Sequence, residues 1–395
     1  MSEKRLPVWL MGLCNLPFGI FGGASLVTMP QLLAADHVPE PRIAAITAIT
    51  LAASFTGFVF APILDWRFTR RFYAIVMAVL AALLLFAAFL CKTSLVLLPI
   101  LLFFGLTAAW LNLAAIGGWF AALTTPEDKG KLGAWFALAN VCGGGMTAII
   151  AISLLRDLPY VVGAAAISLV LLAPLPLFAW LRAPPADSRL AGESFAMFFR
   201  DVMQLLKKRS IWWTLLLFAL PSASFALTNI LSGLGGNYHA SEKLVGLVCG
   251  AGSIVAGVIG SLIVPRIIGK LPPLPLYLTI GGLGGLFTLA LVVLPHTPAV
   301  FAMAWLLENL FQAAAFAVEN TLILREVGED NPLASTQYAV LYAAPCLPIA
   351  YMGAVDGWAY GTGGIDGSFL VDGGLGVASV VVLALLFRFV RRKTA

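Results

Sequence analysis

Charge is what this chain has least of. Of its 395 residues only 11% are Asp, Glu, Lys or Arg, against about a quarter in an average soluble domain. With 61% hydrophobic residues and a mean hydropathy of +0.96, a water-soluble fold is excluded and an integral membrane protein is implied. Histidine is scarce too. His37, His239 and His296 all fall between apolar runs, with no HExxH and no clustered ligands, so no metal centre is expected. The five cysteines (Cys14, Cys91, Cys142, Cys249, Cys346) lie in or beside apolar runs without a CxxC pair. They read as small buried hydrophobes. Neither GxxxxGK[ST] nor GxSxG occurs, which removes a nucleotide-driven pump and a nucleophile elbow. Neither an enzyme nor a bound cofactor is implied.

What the chain has in quantity is apolar runs of membrane-spanning length. They predict about twelve helices, at 7–33, 43–63, 72–91, 95–123, 133–155, 160–180, 211–235, 244–264, 275–294, 298–325, 335–360 and 369–390. The runs are continuous, not alternating, which excludes a β-barrel. Lys4 and Arg5 precede the first run, but its length suits an uncleaved span better than a signal peptide.

Basic residues predict the orientation. Placing the N-terminus in the cytoplasm puts 20 of the 24 Lys and Arg on that side; only Arg42, Lys92, Arg156 and Lys243 fall on the other. That bias places both termini inside and supports an even number of spans. The net positive charge is thus topogenic, and a nucleic-acid partner is dropped. The central break, 181–210, opens on a Pro-rich turn. It continues with Phe195, Phe198, Phe199, Val202, Leu205 and Leu206 at helical spacing before Lys207-Lys208-Arg209. It reads equally as an interfacial helix on the inner leaflet or as a plain linker helix.

The halves echo one another at an offset near 202. His37-x-x-Glu40 recurs as His239-x-x-Glu242, Glu127-Asp128 as Glu329-Asp330, and Asn15–Pro17 more loosely as Ala219–Pro221. Both halves start on the same side, so the expected layout is two parallel six-helix repeats. The boundaries are 1–180 for the N-terminal bundle, 181–210 for the linker and 211–395 for the C-terminal bundle.

Within the run Trp305–Arg325 stand Glu308, Asn309, Gln312, Glu319 and Asn320. The two Glu-Asn pairs are eleven residues apart, three helical turns with a drift of about 20°, so they form a polar stripe. An acid in a spanning helix costs about 2.5–3.5 kcal/mol on insertion scales and normally faces protein or water. Glu308 falls near the bilayer midplane, about 15 Å into its span. It is either a proton carrier or a residue that ties helices together; Glu319, the second proton-coupling candidate, lies nearer the inner surface and suits a gate or packing. Asn15, Asn112, Asn140, Asn229, Gln337, Tyr338 and Asp356 are the other polar residues inside spans. As a set with Trp305 they can line one cavity, and Tyr338, Trp110, Trp135 and Trp305 can stack on a ring-bearing solute.

Between the second and third spans runs Ala61-Pro-Ile-Leu-Asp65-Trp-Arg67-Phe-Thr-Arg70-Arg71. It resembles the loop motif of major facilitator transporters, in which an Asp and following bases latch neighbouring helices. Asp65, Arg70 and Arg71 fit the latch, whereas Ala61 replaces the opening Gly and the second Gly is missing. A positive-inside cluster with a capping Asp is the plainer reading. Glu308-Asn309, Glu319-Asn320 and Ser335-Thr336-Gln337-Tyr338-Ala339 resemble the peptide–acetyl-coenzyme A–drug branch of that superfamily, with its muropeptide permeases and siderophore importers.

The resemblance implies an all-α, major facilitator fold and a monomeric secondary transporter importing a mid-sized polar organic solute with protons as coupling ion. An exporter or uniporter of another solute, such as a drug or acyl-coenzyme A, is the first alternative. A non-transporting receptor or lipid-handling membrane protein is the second.

Overall fold

The computed structural model describes residues 7–181, 195–229, 231–329 and 331–394. Every regular element among them is helical. Lipid offers no hydrogen-bonding partner to the backbone, so apolar runs of this length must satisfy their own N–H and C=O groups, and the helix does so within one segment. The helices are α1 (Val8–Ala35), α2 (Glu40–Asp65), α3 (Arg70–Leu90), α4 (Leu97–Leu123), α5 (Pro126–Asp157), α6 (Tyr160–Val170), α7 (Phe195–Leu205), α8 (Arg209–Ala219), α9 (Glu242–Ile268), α10 (Pro273–Leu291), α11 (Pro298–Val327), α12 (Ala334–Ala343) and α13 (Cys346–Thr394).

The sixth and seventh expected spans are not unbroken helices. After α6 the chain runs through turns around Pro174 and Pro176 to a single helical turn, Leu177–Trp180. After α8 it leaves the helix at Leu220–Phe225, a stretch containing Pro221, and resumes as tight turns Ala226–Asn229 and Leu231–Tyr238. Proline removes a donor and clashes with the preceding turn, which accounts for both breaks. The eleventh expected span is interrupted by a turn at Ala344 and Pro345, and α13 joins its second part to the twelfth. This helix reverses at Gly364, whose φ of 64° is open to glycine, and Gly367 then packs on the Ala359 carbonyl.

The chain forms two compact units. The first comprises the described residues of Met1–Lys208 with Ile323–Ala343; the second comprises those of Arg209–Leu322 with Ala344–Ala395. In the first unit α3 packs on α4, α1 on α5, and α12 on α4 and the end of α2. Its core holds Phe21, Met29, Leu85, Phe89, Leu102 and Leu106. Gly19 lies against the backbone of Asn140 and Gly23 against that of Gly144, the close approach that small residues allow between membrane helices. In the second unit α10 packs on α13, around Leu227, Leu231, Tyr238, Leu291, Phe301 and Phe369. Leu83, Leu169, Val255, Leu286, Val382 and many other apolar side chains stay exposed, as faces turned to lipid require.

The repeated His-x-x-Glu has a structural counterpart. His37 and His239 both adopt left-handed backbone, at φ 59° and 54°, and each is followed by a helix with Glu40 or Glu242 in its first turn. Asp330 of the second echo lies outside the described residues.

Candidate functional site

Two polar centres stand out, one in each unit. In the first, α2 ends in a tight turn, Gly57–Asp65, and α3 begins at Arg70 behind a Thr69 cap. This brings the two side chains together, with Arg70 Nε 2.9 Å from Asp65 Oδ1 and both nearly inaccessible. The pair grips the start of α12. Ser335 N and Thr336 N donate to Asp65 Oδ1 and Oδ2 at 3.3 and 2.7 Å. Arg70 Nη2 donates to the carbonyls of Asn331 and Pro332 at 2.9 and 3.0 Å. Asp65 therefore does for α12 what a helix-capping side chain does, satisfying N–H groups that have no partner within the helix. Its charge also sits at the positive end of the helix dipole. Arg71 is half-buried and forms no ion pair among the described residues.

Gln337 belongs to the same junction. It accepts from Asn331 Nδ2 at 2.6 Å and donates to the Glu326 carbonyl at 3.1 Å. Tyr338 is fully buried, stacked on Tyr342 at 5.7 Å and seated on Gly117. Trp110 and Phe18 meet the Tyr342 ring edge-on. Trp110 Nε1 is buried with no hydrogen-bond partner among the described residues. Asn15 and Asn112 are buried struts: Asn15 Nδ2 donates to the Phe136 carbonyl at 2.9 Å and Asn112 Nδ2 to that of Ala74 at 2.7 Å. Asn140 is half-buried on α5. A groove between α1, α5 and α6, lined by Leu16, Ile20, Met146, Ile150 and Val170, is almost wholly apolar, with Thr147 its one polar side chain among the described residues.

The second centre is built on α10 and α11. Glu308 is fully buried. Thr288 Oγ1 on α10 lies 2.5 Å from Glu308 Oε1 and 3.1 Å from the Gly284 carbonyl. A hydroxyl has one hydrogen, so an ionised Glu308 leaves one of these contacts without a proton. A protonated Glu308 satisfies both, donating to Thr288 while Thr288 donates to Gly284. Glu308 Oε2 is buried without a hydrogen-bond partner among the described residues. One turn on, Gln312 Nε2 donates to Thr228 Oγ1 at 2.9 Å and the Phe225 carbonyl at 3.3 Å. It thereby serves the backbone freed by the break after α8, where Phe225 itself has a φ of 47°.

Glu319, also buried, accepts from the Tyr277 hydroxyl at 3.2 Å. Asn309 and Asn320 donate to carbonyls of their own helix, Trp305 and Phe316. Trp305 Nε1 donates to Ser253 Oγ at 2.7 Å. Asn229 closes the turn after Ala226, and its side chain lies outside the described residues. Glu308, Gln312 and Glu319 thus share α11, whereas Gln337 and Tyr338 sit with the first unit.

Sequence reasoning missed Thr288 and Tyr277 as partners of these acids. It also missed the α12 N–H groups as the partners of Asp65. Among the described residues no group of three or more His, Cys, Asp or Glu is placed to hold a metal ion.

An all-helical, multi-pass chain with buried acids and a charge-paired loop is the architecture of a membrane transporter. The chain belongs to the Major Facilitator Superfamily, whose profile matches residues 11–351. No curated protein sequence matches it. Among solved structures it is similar to a bacterial homologue of the iron transporter ferroportin, at 16% identity and a TM-score of 0.72, covering 97% of this chain and 98% of that one. It is also similar to the E. coli fucose:proton symporter, at 16% identity and 0.69, covering 98% and 99%. A third is the human organic anion transporter MFSD10, at 16% and 0.71, covering 95% and 97%. At such identity these likenesses concern the fold. The family is one of small-molecule transporters, not enzymes.

Proposed function

We propose that this protein is a proton-coupled importer of a mid-sized polar organic solute, an iron–siderophore complex or a peptidoglycan fragment, acting in the inner membrane with both termini cytoplasmic. It works as a monomer by alternating access between an N-terminal bundle (1–180) and a C-terminal bundle (211–395). The observation that carries the proton role is the Glu308–Thr288–Gly284 chain, whose contacts are all satisfied only when Glu308 holds a proton. Such a carboxyl releases its proton when water or solute reaches it. That two of the similarly folded proteins are described as proton symporters, for fucose and xylose, agrees with this reading.

In the same account Asp65 and Arg70 are the latch. Their bonds to Asn331–Thr336 form in one state of the cycle and break in the other, with Arg71 adding positive charge beside them. Gln312, Asn309, Asn320, Glu319 and Trp305 from α11, Asn229 from the broken seventh segment, and Asn15, Asn112, Asn140, Gln337 and Tyr338 frame the solute path. The siderophore and muropeptide assignment rests on the Glu-Asn pairs and Ser335–Ala339.

Uptake of labelled ferric siderophores and anhydro-muropeptides into proteoliposomes, with and without an inward proton gradient, tests the assignment. Gradient-dependent accumulation of one class is expected; none for either class removes the cargo assignment.

A further inference from the structure

Asp356 and Asp372 have no role in the mechanism above, yet both are buried within the second unit, at 0% and 8% exposure. Asp356 precedes Gly364 by eight residues and Asp372 follows it by eight, so the reversal of α13 sets one on each arm of a helical hairpin. The arms are in contact: Ser368 Oγ donates to the Asp356 carbonyl at 2.9 Å. The second arm also packs tightly on α10. A Cβ at Gly373 would lie 2.8 Å from the Gly285 carbonyl and 3.0 Å from Leu289 N. Asp372 therefore enters the layer that holds Thr288, the residue bonded to Glu308. Asp356, Asp372 and Glu308 lie within electrostatic range of one another.

The second observation is what these acids lack. Both carboxyl oxygens of Asp356, Asp372 Oδ1 and Glu308 Oε2 are buried with no hydrogen-bond partner among the described residues. Among the described residues no base on the elements packed against them is placed beside these acids. α10 carries no charged residue, and its one titratable side chain, Tyr277, is engaged with Glu319. The turn Ala226–Asn229 carries none. α8 carries only Arg209, which lies over the Trp213 ring. Within α13, Asp366 is turned to His296 at 3.4 Å. Three carboxylates cannot stay ionised together in such surroundings without a cation, and no metal-holding group of three exists among the described residues. A proton is the cation that a carboxyl holds without further ligands.

We propose that Asp356 and Asp372 hold a second exchangeable proton and share it with Glu308, making the proton site a three-carboxyl cluster. An O–H bond on one carboxyl breaks as one on another forms; charge moves and nothing is oxidised or reduced. Release to either side then draws on the cluster instead of on one acid. This inference rests on the proton role assigned to Glu308, but its test needs no solute.

The test is an infrared pH titration of the full chain in lipid, following the carbonyl stretch of protonated carboxyl groups. In the wild type the band is expected to titrate in more than one step, because groups interacting by more than about one pK unit release protons as a set. Asp356→Asn and Asp372→Asn should each remove a component. Each should also move the midpoint of the component assigned by Glu308→Gln by about one pH unit or more.

Loss of a component with the Glu308 midpoint unmoved would overturn the cluster, as would Asn variants that lose no component. If the Asn variants do not fold, Asp356→Glu and Asp372→Glu replace them, and a Glu308 midpoint unmoved by either overturns the proposal. Interacting components without gradient-driven uptake would retain the cluster and remove the symport reading.

Discussion

The Asp65 carboxylate receives the backbone N–H of Thr336 at 2.7 Å across 271 residues of sequence. The same carboxylate pairs with Arg70 at 2.9 Å. One side chain thus caps a helix and neutralises a buried base. Asp65→Ala leaves a buried guanidinium unpaired, which costs about 3–5 kcal/mol where such pairs are broken. The expected outcome is a clear fall in thermal stability and faster labelling of a cysteine introduced at Ser335. An unchanged labelling rate would contradict the capping role.

Arg70→Lys should be less damaging than Asp65→Ala but still destabilising. The guanidinium binds Asp65 through Nε and two carbonyls through Nη2, and an ammonium cannot reproduce that fork. We expect Arg70→Lys to lose about 1–3 kcal/mol, read as a lowered unfolding midpoint in detergent. Stability equal to wild type would mean that charge alone holds the junction.

Gly22 and Gly23 give a matched test of the α1–α5 approach. A Cβ at Gly23 would strike the Gly144 backbone, whereas at Gly22 it meets nothing within 4 Å. Gly23→Ala should cost about 1–3 kcal/mol by overpacking. Gly22→Ala should be neutral or stabilise by about 0.5–1 kcal/mol, as glycine is a poor helix former. Unfolding midpoints of the two variants, compared side by side, check the contrast.

His37 and His239 are exposed and left-handed. Each should accept glycine with little change and reject valine, since a β-branched residue at positive φ is a genuine outlier. Expression and thermal midpoints of His37→Gly, His37→Val and the two equivalents at His239 should follow the same order. Opposite responses at the two positions would mean that the repeat does not extend to these turns.

Most of the helical layout was legible in the sequence because lipid imposes one simple rule, long apolar runs with polar breaks. The breaks in the sixth and seventh segments were less so: Pro174, Pro176 and Pro221 were visible, but prolines also sit inside α9 and α2, so their presence alone does not say which helix gives way. Glu308 was conspicuous as an acid in an apolar run. Its partner was not, because a threonine in a helix ordinarily bonds back to its own chain, as Thr288 also does to Gly284. Asp372 was hidden by the glycines around it, which obscure where the chain reverses; only the bend at Gly364 sets it opposite Asp356. Asp65 was legible as part of a motif, but its partners are backbone N–H groups, which carry no residue signature.

Glu308→Gln tests the central claim most directly. Glutamine keeps the shape and can still donate to Thr288, but it cannot release a proton. In proteoliposomes loaded with the transported solute, the variant should retain solute exchange at equal pH on both sides and lose accumulation driven by an inward proton gradient. Gradient-driven accumulation at the wild-type level in Glu308→Gln would contradict the account, reducing Glu308 to a residue that only joins α11 to α10.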